Sequence, residues 1–207
     1  MPLLKPLTRE EIAPELHALW DACEAAYPDF RSSWATMAHS PILFRHVWGQ
    51  LLALKNDSPV EARHFEITIL VVSNATRCDY CIAHHNPRAL GTGLSAAQVT
   101  ALADLARVPL AEDHAFGGYP GFDGDESLVI DLARVVVYAG LHAPGSGPHP
   151  RAVQRLRREL FDRLGARFSP RQVAELVWRT TQCAAFNWHN ELLELDLEPE
   201  VRPWTSH

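Results

Sequence analysis

Two consecutive helices decide the predicted fold, and both lie within residues 60–90, VEARHFEITILVVSNATRCDYCIAHHNPRAL. The first is predicted over 60–73, because charged residues lead directly into the apolar run 67–72 and no other segment offers a strand to pair with that run. Thr76 is expected to cap a second helix that ends at about Leu90, just before Gly91 and Gly93. Residues 74–76 are therefore the predicted break between the two helices.

Apolar residues spaced three and four apart extend along most of the chain and predict an all-α fold. The other helices are predicted over 9–27, 41–54, 95–105, 126–139, 151–164 and 169–195. A connection rich in glycine and proline over 109–124 is expected to join two helical halves, roughly 1–108 and 125–198, of one domain that spans 1–207. Residues 142–150, with His142 and His149, are expected to form an irregular surface loop.

Charge and composition exclude several classes of function. The 207 residues carry a formal net charge of −6, which argues against binding to nucleic acid or to an anionic membrane surface. No apolar stretch reaches the roughly 18 residues of a membrane helix, and the N-terminus does not resemble a signal peptide. We therefore expect a cytoplasmic protein. In that reducing compartment, four cysteines do not indicate a disulfide scaffold, and a close pair indicates redox chemistry or metal binding.

The residues that carry chemistry are Cys78, Cys81 and His85. On a helix, three residues turn the chain by about 300° and rise about 4.5 Å, which brings two cysteines of a Cys-x-x-Cys pair within disulfide range. His85 lies one turn beyond Cys81, so the three side chains are predicted to share one face. The first turn of a helix favours a thiolate, and a neighbouring imidazole can accept the thiol proton. These residues predict a reactive thiol pair.

Glu66 joins this group only under a geometric condition. In one straight helix it would lie about 18 Å from Cys78 and on a different face. It reaches the site only if the chain bends sharply over residues 73–76, where the break is predicted. A glutamate buried under Phe65, Ile69 and Tyr80 needs a partner, and His85 is the expected one.

These motifs resemble the carboxymuconolactone decarboxylase-like superfamily, and specifically its alkylhydroperoxidase D-like, peroxidase-related branch. The resemblance rests on Arg63-x-x-Glu66, on the twelve residues from Glu66 to Cys78, and on Cys-x-x-Cys-x-x-His-His. Ser40-Pro41 and the C-terminal segment 186–191 are similar to that branch too, although the specific part is confined to roughly 63–93. The resemblance implies an all-α, alkylhydroperoxidase D-like helical bundle that assembles as a homo-oligomer.

The resemblance also implies roles for individual residues. Cys81 matches the cysteine that attacks a peroxide, and Cys78 matches the one that resolves the product as a disulfide. Glu66 and His85 match a proton relay that activates Cys81. The family's peroxidase has a further relay histidine where this chain has Tyr80, so the implied relay is shorter here. The predicted function is thiol-dependent reduction of a hydroperoxide without a bound cofactor, with an external dithiol protein or small thiol as reductant.

Three alternatives stay open at this point. Cys78, Cys81, His85 and Glu66 have the ligand chemistry of a zinc site. A carboxymuconolactone decarboxylase-like, non-redox enzyme would use His85 and Glu66 for acid–base work, with incidental cysteines. A non-enzymatic protein would use the pair only to sense oxidants.

Several other residues have ordinary structural interpretations. Arg63 is expected to pair with Glu66 one turn on, and His84 to support the site or an interface. His189 is expected to be a hydrogen-bonded interior or interface residue. The isolated cysteines and the tryptophans are expected to fill the core or subunit contacts: Cys23, Cys183, Trp20, Trp34, Trp48, Trp178 and Trp188.

Overall fold

The computed structural model describes residues 2–140 and 150–201, and within them it is all-helical, as predicted, with no β-strand. Short 3₁₀ segments lie at Arg9–Glu11, Pro14–Leu16 and Pro28–Phe30, and a π-helical segment lies at Phe44–Trp48. The α-helices are α1 (His17–Ala26), α2 (Arg31–Met37), α3 (Pro41–Leu43), α4 (Gly49–Asp57), α5 (Ala62–Thr76), α6 (Asp79–Gly91), α7 (Ala96–Leu105), α8 (Gly124–Gly140), α9 (Pro150–Arg167) and α10 (Pro170–Leu192).

Helix α5 is the central element of the fold. It packs against α6, α7, α8 and α10, and Ile67, Leu70 and Val71 are fully buried. The β-branched run is helical because neighbouring helices cover it on several sides, and burial outweighs the weak helical preference of those residues. The predicted helix is thus confirmed, but it extends to Thr76 instead of ending at about 73.

A second hydrophobic cluster forms at the N-terminal end of the chain. Trp20 and Trp34 pack edge to face with ring centroids 4.5 Å apart, and Phe44 packs against both. Cys78 and Cys81 belong to this cluster and not to the larger core around α5. The start of α6 is therefore held in an apolar environment.

The N-terminal segment differs from the prediction. The helix predicted over 9–27 begins only at His17, after two 3₁₀ turns, because Pro14 has no N–H for a continuous α-helical hydrogen-bond pattern. Helix α2 was missed, since its seven residues are too few to show a clear period. The loop predicted over 142–150, including His142 and His149, lies outside the described residues except for Pro150, which begins α9.

The connection 109–124 is fixed to α8 through the fully buried Asp131. This carboxylate accepts hydrogen bonds from the Gly117 backbone N–H at 2.7 Å and from the Tyr119 hydroxyl at 2.6 Å. A ring nitrogen of His114 lies 2.8 Å from the same carboxylate. The division of the chain into halves at this connection stays a prediction. Among the described helices, none combines the length and apolarity that a bilayer span requires.

Replacing Leu70 with alanine tests the central position of α5. Leu70 is fully buried, so Leu70→Ala is expected to lower the free energy of unfolding by about 2–5 kcal/mol. Leu3, which is 68% exposed, provides the matched control. Leu3→Ala is expected to change the free energy of unfolding by no more than about 0.5 kcal/mol. Urea denaturation measures both values, and equal losses in the two variants would contradict this description of the core.

Candidate active site

A tight turn between α5 and α6 creates the site. Arg77 adopts the left-handed conformation, with φ 57°, and the Cys78 backbone N–H donates to the Ser73 carbonyl at 3.1 Å. This six-to-one hydrogen bond is the Schellman arrangement that ends many helices. The predicted cap is therefore wrong: Thr76 is the last residue of α5, its hydroxyl donates to the Val72 carbonyl, and Cys78 is the N-cap of α6. The bend exists, but it lies one residue after the predicted break.

The two cysteines of the motif are in direct contact at the start of α6. Their sulfur atoms are 2.7 Å apart, and both are free thiols. The Cys81 backbone N–H donates to Cys78 Sγ at 3.3 Å, so a sulfur atom occupies the usual place of a capping oxygen. The unpaired N–H groups of this first turn favour negative charge on sulfur.

The environments of the two sulfurs differ. Cys78 is fully buried, and its hydrogen bond to Cys81, together with burial, raises the pKa of the Cys78 thiol far above its usual range. Cys78 therefore keeps its proton and donates it to Cys81 Sγ, which also accepts from Asn190 Nδ2 at 3.4 Å. Cys81 lines a cavity, whereas Cys78 is not among the lining residues of that cavity. This asymmetry makes Cys81 the sulfur that a molecule in the cavity can reach.

The turn also brings together Glu66 and His85, the residues predicted to meet. Glu66 Oε2 lies 2.8 Å from His85 Nδ1. Because a carboxylate only accepts, we assign the Nδ1 proton to His85, which leaves Nε2 as an acceptor. Burial lowers the pKa of His85, while the charge of Glu66 acts in the opposite direction. The imidazole is thus a neutral base with its orientation fixed by Glu66.

Cys81 and His85 line the same small cavity. Its volume is about 40 Å³, measured as the space open to the centres of water-sized molecules. That space holds one or two waters or a small reactive group of a substrate. Aromatic and apolar side chains form most of its wall, with a few polar groups, and the lining residues are Tyr27, Phe30, Ser33, Trp48, Leu51, Cys81, His85, Arg179, Cys183, Phe186, Asn187 and Asn190.

Helix α10 supplies polar groups that sequence reasoning did not assign to the site. Arg179, Cys183, Asn187 and Asn190 are spaced by four, four and three residues, which is the spacing of one helical face. Asn187 donates to the Thr76 hydroxyl at 2.7 Å, and Asn190 reaches Cys81. This spacing was visible in the sequence, but nothing local indicated that the face would meet α6.

A second hydrogen-bond network lies behind the cysteines and connects α6 to the C-terminal segment. Glu198 accepts from the Tyr80 hydroxyl at 2.9 Å and lies 2.6 Å from His84 Nε2. Burial acts to raise the pKa of Glu198, but its hydrogen bonds, the one with His84 foremost, hold that pKa below the usual value. Burial raises the pKa of Tyr80, so Tyr80 keeps its proton. His84 therefore supports the site from behind, as expected, and is absent from the cavity wall.

The remaining expectations give mixed results. Arg63 donates to Glu126 of α8 and not to Glu66, so that predicted pairing is wrong: Glu66 is already engaged by His85. Cys23 is buried in the core as predicted, and burial raises the pKa of its thiol to about 12. Cys183 is buried too but also lines the cavity.

The other aromatic and histidine expectations can be checked against exposure and hydrogen bonding. Trp20, Trp34 and Trp48 are buried. Trp178 and Trp188 are about half exposed, which leaves the predicted subunit contact a prediction. His189 is partly buried and has one long contact, 3.4 Å, from Nδ1 to Asn190.

The residues that the sequence offered as alternative zinc ligands do not form a candidate metal site in the described part of the chain. Within residues 2–140 and 150–201, no group of three or more histidine, cysteine, aspartate or glutamate side chains has the proximity that a metal ion requires. Two thiols in contact form instead, and the sulfur of Cys81 and the imidazole of His85 line the same cavity.

Comparison with known proteins bears on the family and on the fold. Residues 42–117, which contain Glu66, Cys78, Cys81 and His85, match the model of the carboxymuconolactone decarboxylase family, and the predicted resemblance is confirmed over that segment. A solved structure shares the fold with a TM-score of 0.68 over 96% of this chain and 93% of the other, at 18% identity. It is the debrominase Bmp8, in a variant with a cysteine replaced by alanine, in complex with 2,3,4-tribromopyrrole. No curated protein matches the chain.

Replacing Glu66 with glutamine tests the relay geometry. The amide still accepts from His85 Nδ1 but no longer stabilises the imidazolium, so Glu66→Gln is expected to slow alkylation of Cys81 by iodoacetamide by roughly 10²-fold at neutral pH. Removing the carboxylate also removes the charge that favours protonated His85, so the pKa of His85 falls further and the acidic limb of the pH–rate profile moves to lower pH. Rates measured between about pH 5 and 8 check both effects.

The exposed Glu61, at the start of α5, provides the control for this variant. Glu61→Gln is expected to leave the rate and the profile unchanged. If Glu66→Gln behaves in the same way, Glu66 does not act on His85 during the reaction.

Proposed function

We propose that this protein is a thiol-dependent peroxidase that reduces a hydroperoxide through Cys81 and Cys78. The observation that carries the proposal is the unequal placement of two contacting sulfurs. Cys81 lines a cavity beside His85, and Cys78 lies 2.7 Å behind it without exposure. A peroxide can reach the first sulfur only, while the second is in position to react with whatever forms there.

The chemistry needs two electrons and uses both thiols. The Cys81 thiolate attacks the terminal peroxide oxygen, the O–O bond breaks, and the alkoxide takes a proton to leave as an alcohol. Cys81 is then a sulfenic acid. The Cys78 thiol attacks its sulfur, the S–O bond breaks, and the oxygen leaves as water while a disulfide forms. An external dithiol returns two electrons and two protons to the pair.

The surrounding groups support each proton movement. His85 Nε2 is free to accept a proton from Cys81 and to return it to the departing alkoxide. Asn190 donates to Cys81 Sγ and thereby stabilises the thiolate. Cys78 stays protonated until the sulfenic acid forms, so it does not compete as a nucleophile.

The proposal includes a homo-oligomer in the cytoplasm, where thioredoxin-like or small-thiol reductants operate.

A second substrate class has an observation in its favour. Tyr27, Phe30, Trp48 and Phe186 surround the cavity with aromatic rings, which suits a planar aromatic substrate. The structurally similar debrominase was solved with a brominated pyrrole. Replacing carbon–bromine by carbon–hydrogen consumes two electrons, and the same thiol pair supplies them by forming its disulfide as bromide leaves. Bromide release from 2,3,4-tribromopyrrole distinguishes this reaction from peroxide reduction.

Substitution of the two cysteines distinguishes the redox proposal from the non-redox alternative. Hydroperoxide consumption is measured with a dithiol donor for the wild type, Cys81→Ser and Cys78→Ser. Cys81→Ser is expected to abolish turnover, because the attacking atom is gone. Cys78→Ser is expected to consume one equivalent and then stall with a sulfenic acid, detectable by dimedone labelling.

Cys23 provides the control, since it is buried in the N-terminal core and absent from the cavity wall. Cys23→Ala is expected to retain wild-type turnover. Undiminished rates in both Cys81→Ser and Cys78→Ser would refute the redox proposal and favour acid–base chemistry by His85 and Glu66.

A further inference from the structure

One charged group in the cavity wall has no role in the reaction described above. Arg179 lies on α10, one turn before Cys183 and on the face that meets the cavity. It is partly buried, and its positive charge acts on His85, Tyr27 and Cys183. The guanidinium is therefore close enough to the reacting groups to affect a bound molecule.

Arg179 differs from the other cations near the cavity in its lack of a partner among the described residues. Arg88 forms two hydrogen bonds with Asp29, at 2.9 and 2.5 Å, and lies over the Phe30 ring. Lys55 donates to the Ala26 carbonyl at 2.6 Å. Within residues 2–140 and 150–201, Arg179 forms neither an ion pair nor a hydrogen bond. The five N–H donors of this guanidinium are therefore available to an acceptor that enters the cavity.

Among the described residues, no carboxylate lines the cavity beside this cation. Glu66 is the nearby carboxylate that acts on the same neighbours, but it is already bound to His85 Nδ1. The remaining wall is aromatic, aliphatic or polar, and Cys81 carries a negative charge there only as a thiolate. Arg179 is thus a cationic donor in this wall that an anion in the cavity can engage.

We propose that Arg179 determines specificity by binding a carboxylate of the substrate, so that Cys81 acts on a small, carboxylate-bearing hydroperoxide. Guanidinium and carboxylate form paired hydrogen bonds of fixed geometry, which would orient the peroxide group toward Cys81. The identity of the reacting group, a hydroperoxide, rests on the proposed peroxidase function. The recognition of an anion beside Cys81 does not depend on that function.

Alkylation of Cys81 tests anion recognition without any peroxide. Iodoacetate and iodoacetamide are nearly equal in size and both form a carbon–sulfur bond with loss of iodide, but only iodoacetate carries a carboxylate. The ratio of their rate constants at Cys81, assigned by fragment mass spectrometry, is expected to fall about tenfold in Arg179→Met. The iodoacetamide rate is expected to stay within about twofold, and Arg179→Lys to retain part of the ratio.

An exposed arginine distant from this cavity serves as the control. Arg107, 70% exposed, is expected to tolerate replacement by methionine with the wild-type ratio. If Arg179→Met slows both reagents by one factor, Arg179 acts on the Cys81 thiolate and the specificity proposal is overturned. An unchanged ratio in Arg179→Met overturns it as well.

Turnover then separates this inference from the proposed function. A carboxylate-bearing hydroperoxide and its methyl ester are compared in wild type and Arg179→Met. The variant is expected to raise KM for the acid by about tenfold and to leave KM for the ester unchanged. If neither hydroperoxide is consumed while the alkylation ratio depends on Arg179, the peroxidase proposal fails and the anion site stands. Equal effects on acid and ester contradict the assigned substrate class.

Discussion

The site depends on one backbone turn, the left-handed Arg77 followed by Cys78 as the N-cap of α6. The hydrogen bond from Cys78 N–H to the Ser73 carbonyl ends α5, and the chain then reverses so that α6 packs against α5. Glu66 and His85 are 19 residues apart in sequence, yet this reversal places their side chains 2.8 Å apart. The same turn puts both sulfurs at a helix N-terminus, where charge on sulfur is favoured. The proposed relay and the proposed reactive thiol both depend on this turn.

The turn also explains why the two cysteines of the motif lie in different surroundings. Cys78, as the capping residue, points into the N-terminal apolar cluster, where burial and its contact with Cys81 keep it protonated. Cys81 lies within the helix and reaches the cavity, where Asn190 of α10 donates to its sulfur. Because both residues are cysteines, the difference between them arises from burial and hydrogen bonding. The attacking and resolving roles that we propose for them rest on this difference in position within a single helical turn.

Local pattern predicted much of this arrangement, and long-range packing accounts for the rest. The all-α class, the closeness of Cys78 to Cys81, and the bend that Glu66 needs all followed from helical spacing. The shared face holds for Cys81 and His85, which line one cavity, whereas Cys78 caps the helix and does not line it. The position of the bend was one residue off, because Thr76 hydrogen-bonds backward within α5 and a sulfur replaces it as the cap. The contributions of Arg179 and Asn190 could not be predicted, since they depend on where α10 packs.

The central claim is that Cys81 and Cys78 act together as a two-electron pair. Its most direct test is a single turnover, in which fully reduced protein receives one equivalent of hydroperoxide with no external reductant. Thiol counting and peptide mapping are predicted to show the loss of two thiols per peroxide and one bond, between Cys78 and Cys81, with Cys23 and Cys183 still reduced. Four intact thiols after the peroxide has been consumed, or a disulfide that involves Cys23 or Cys183, would contradict the account.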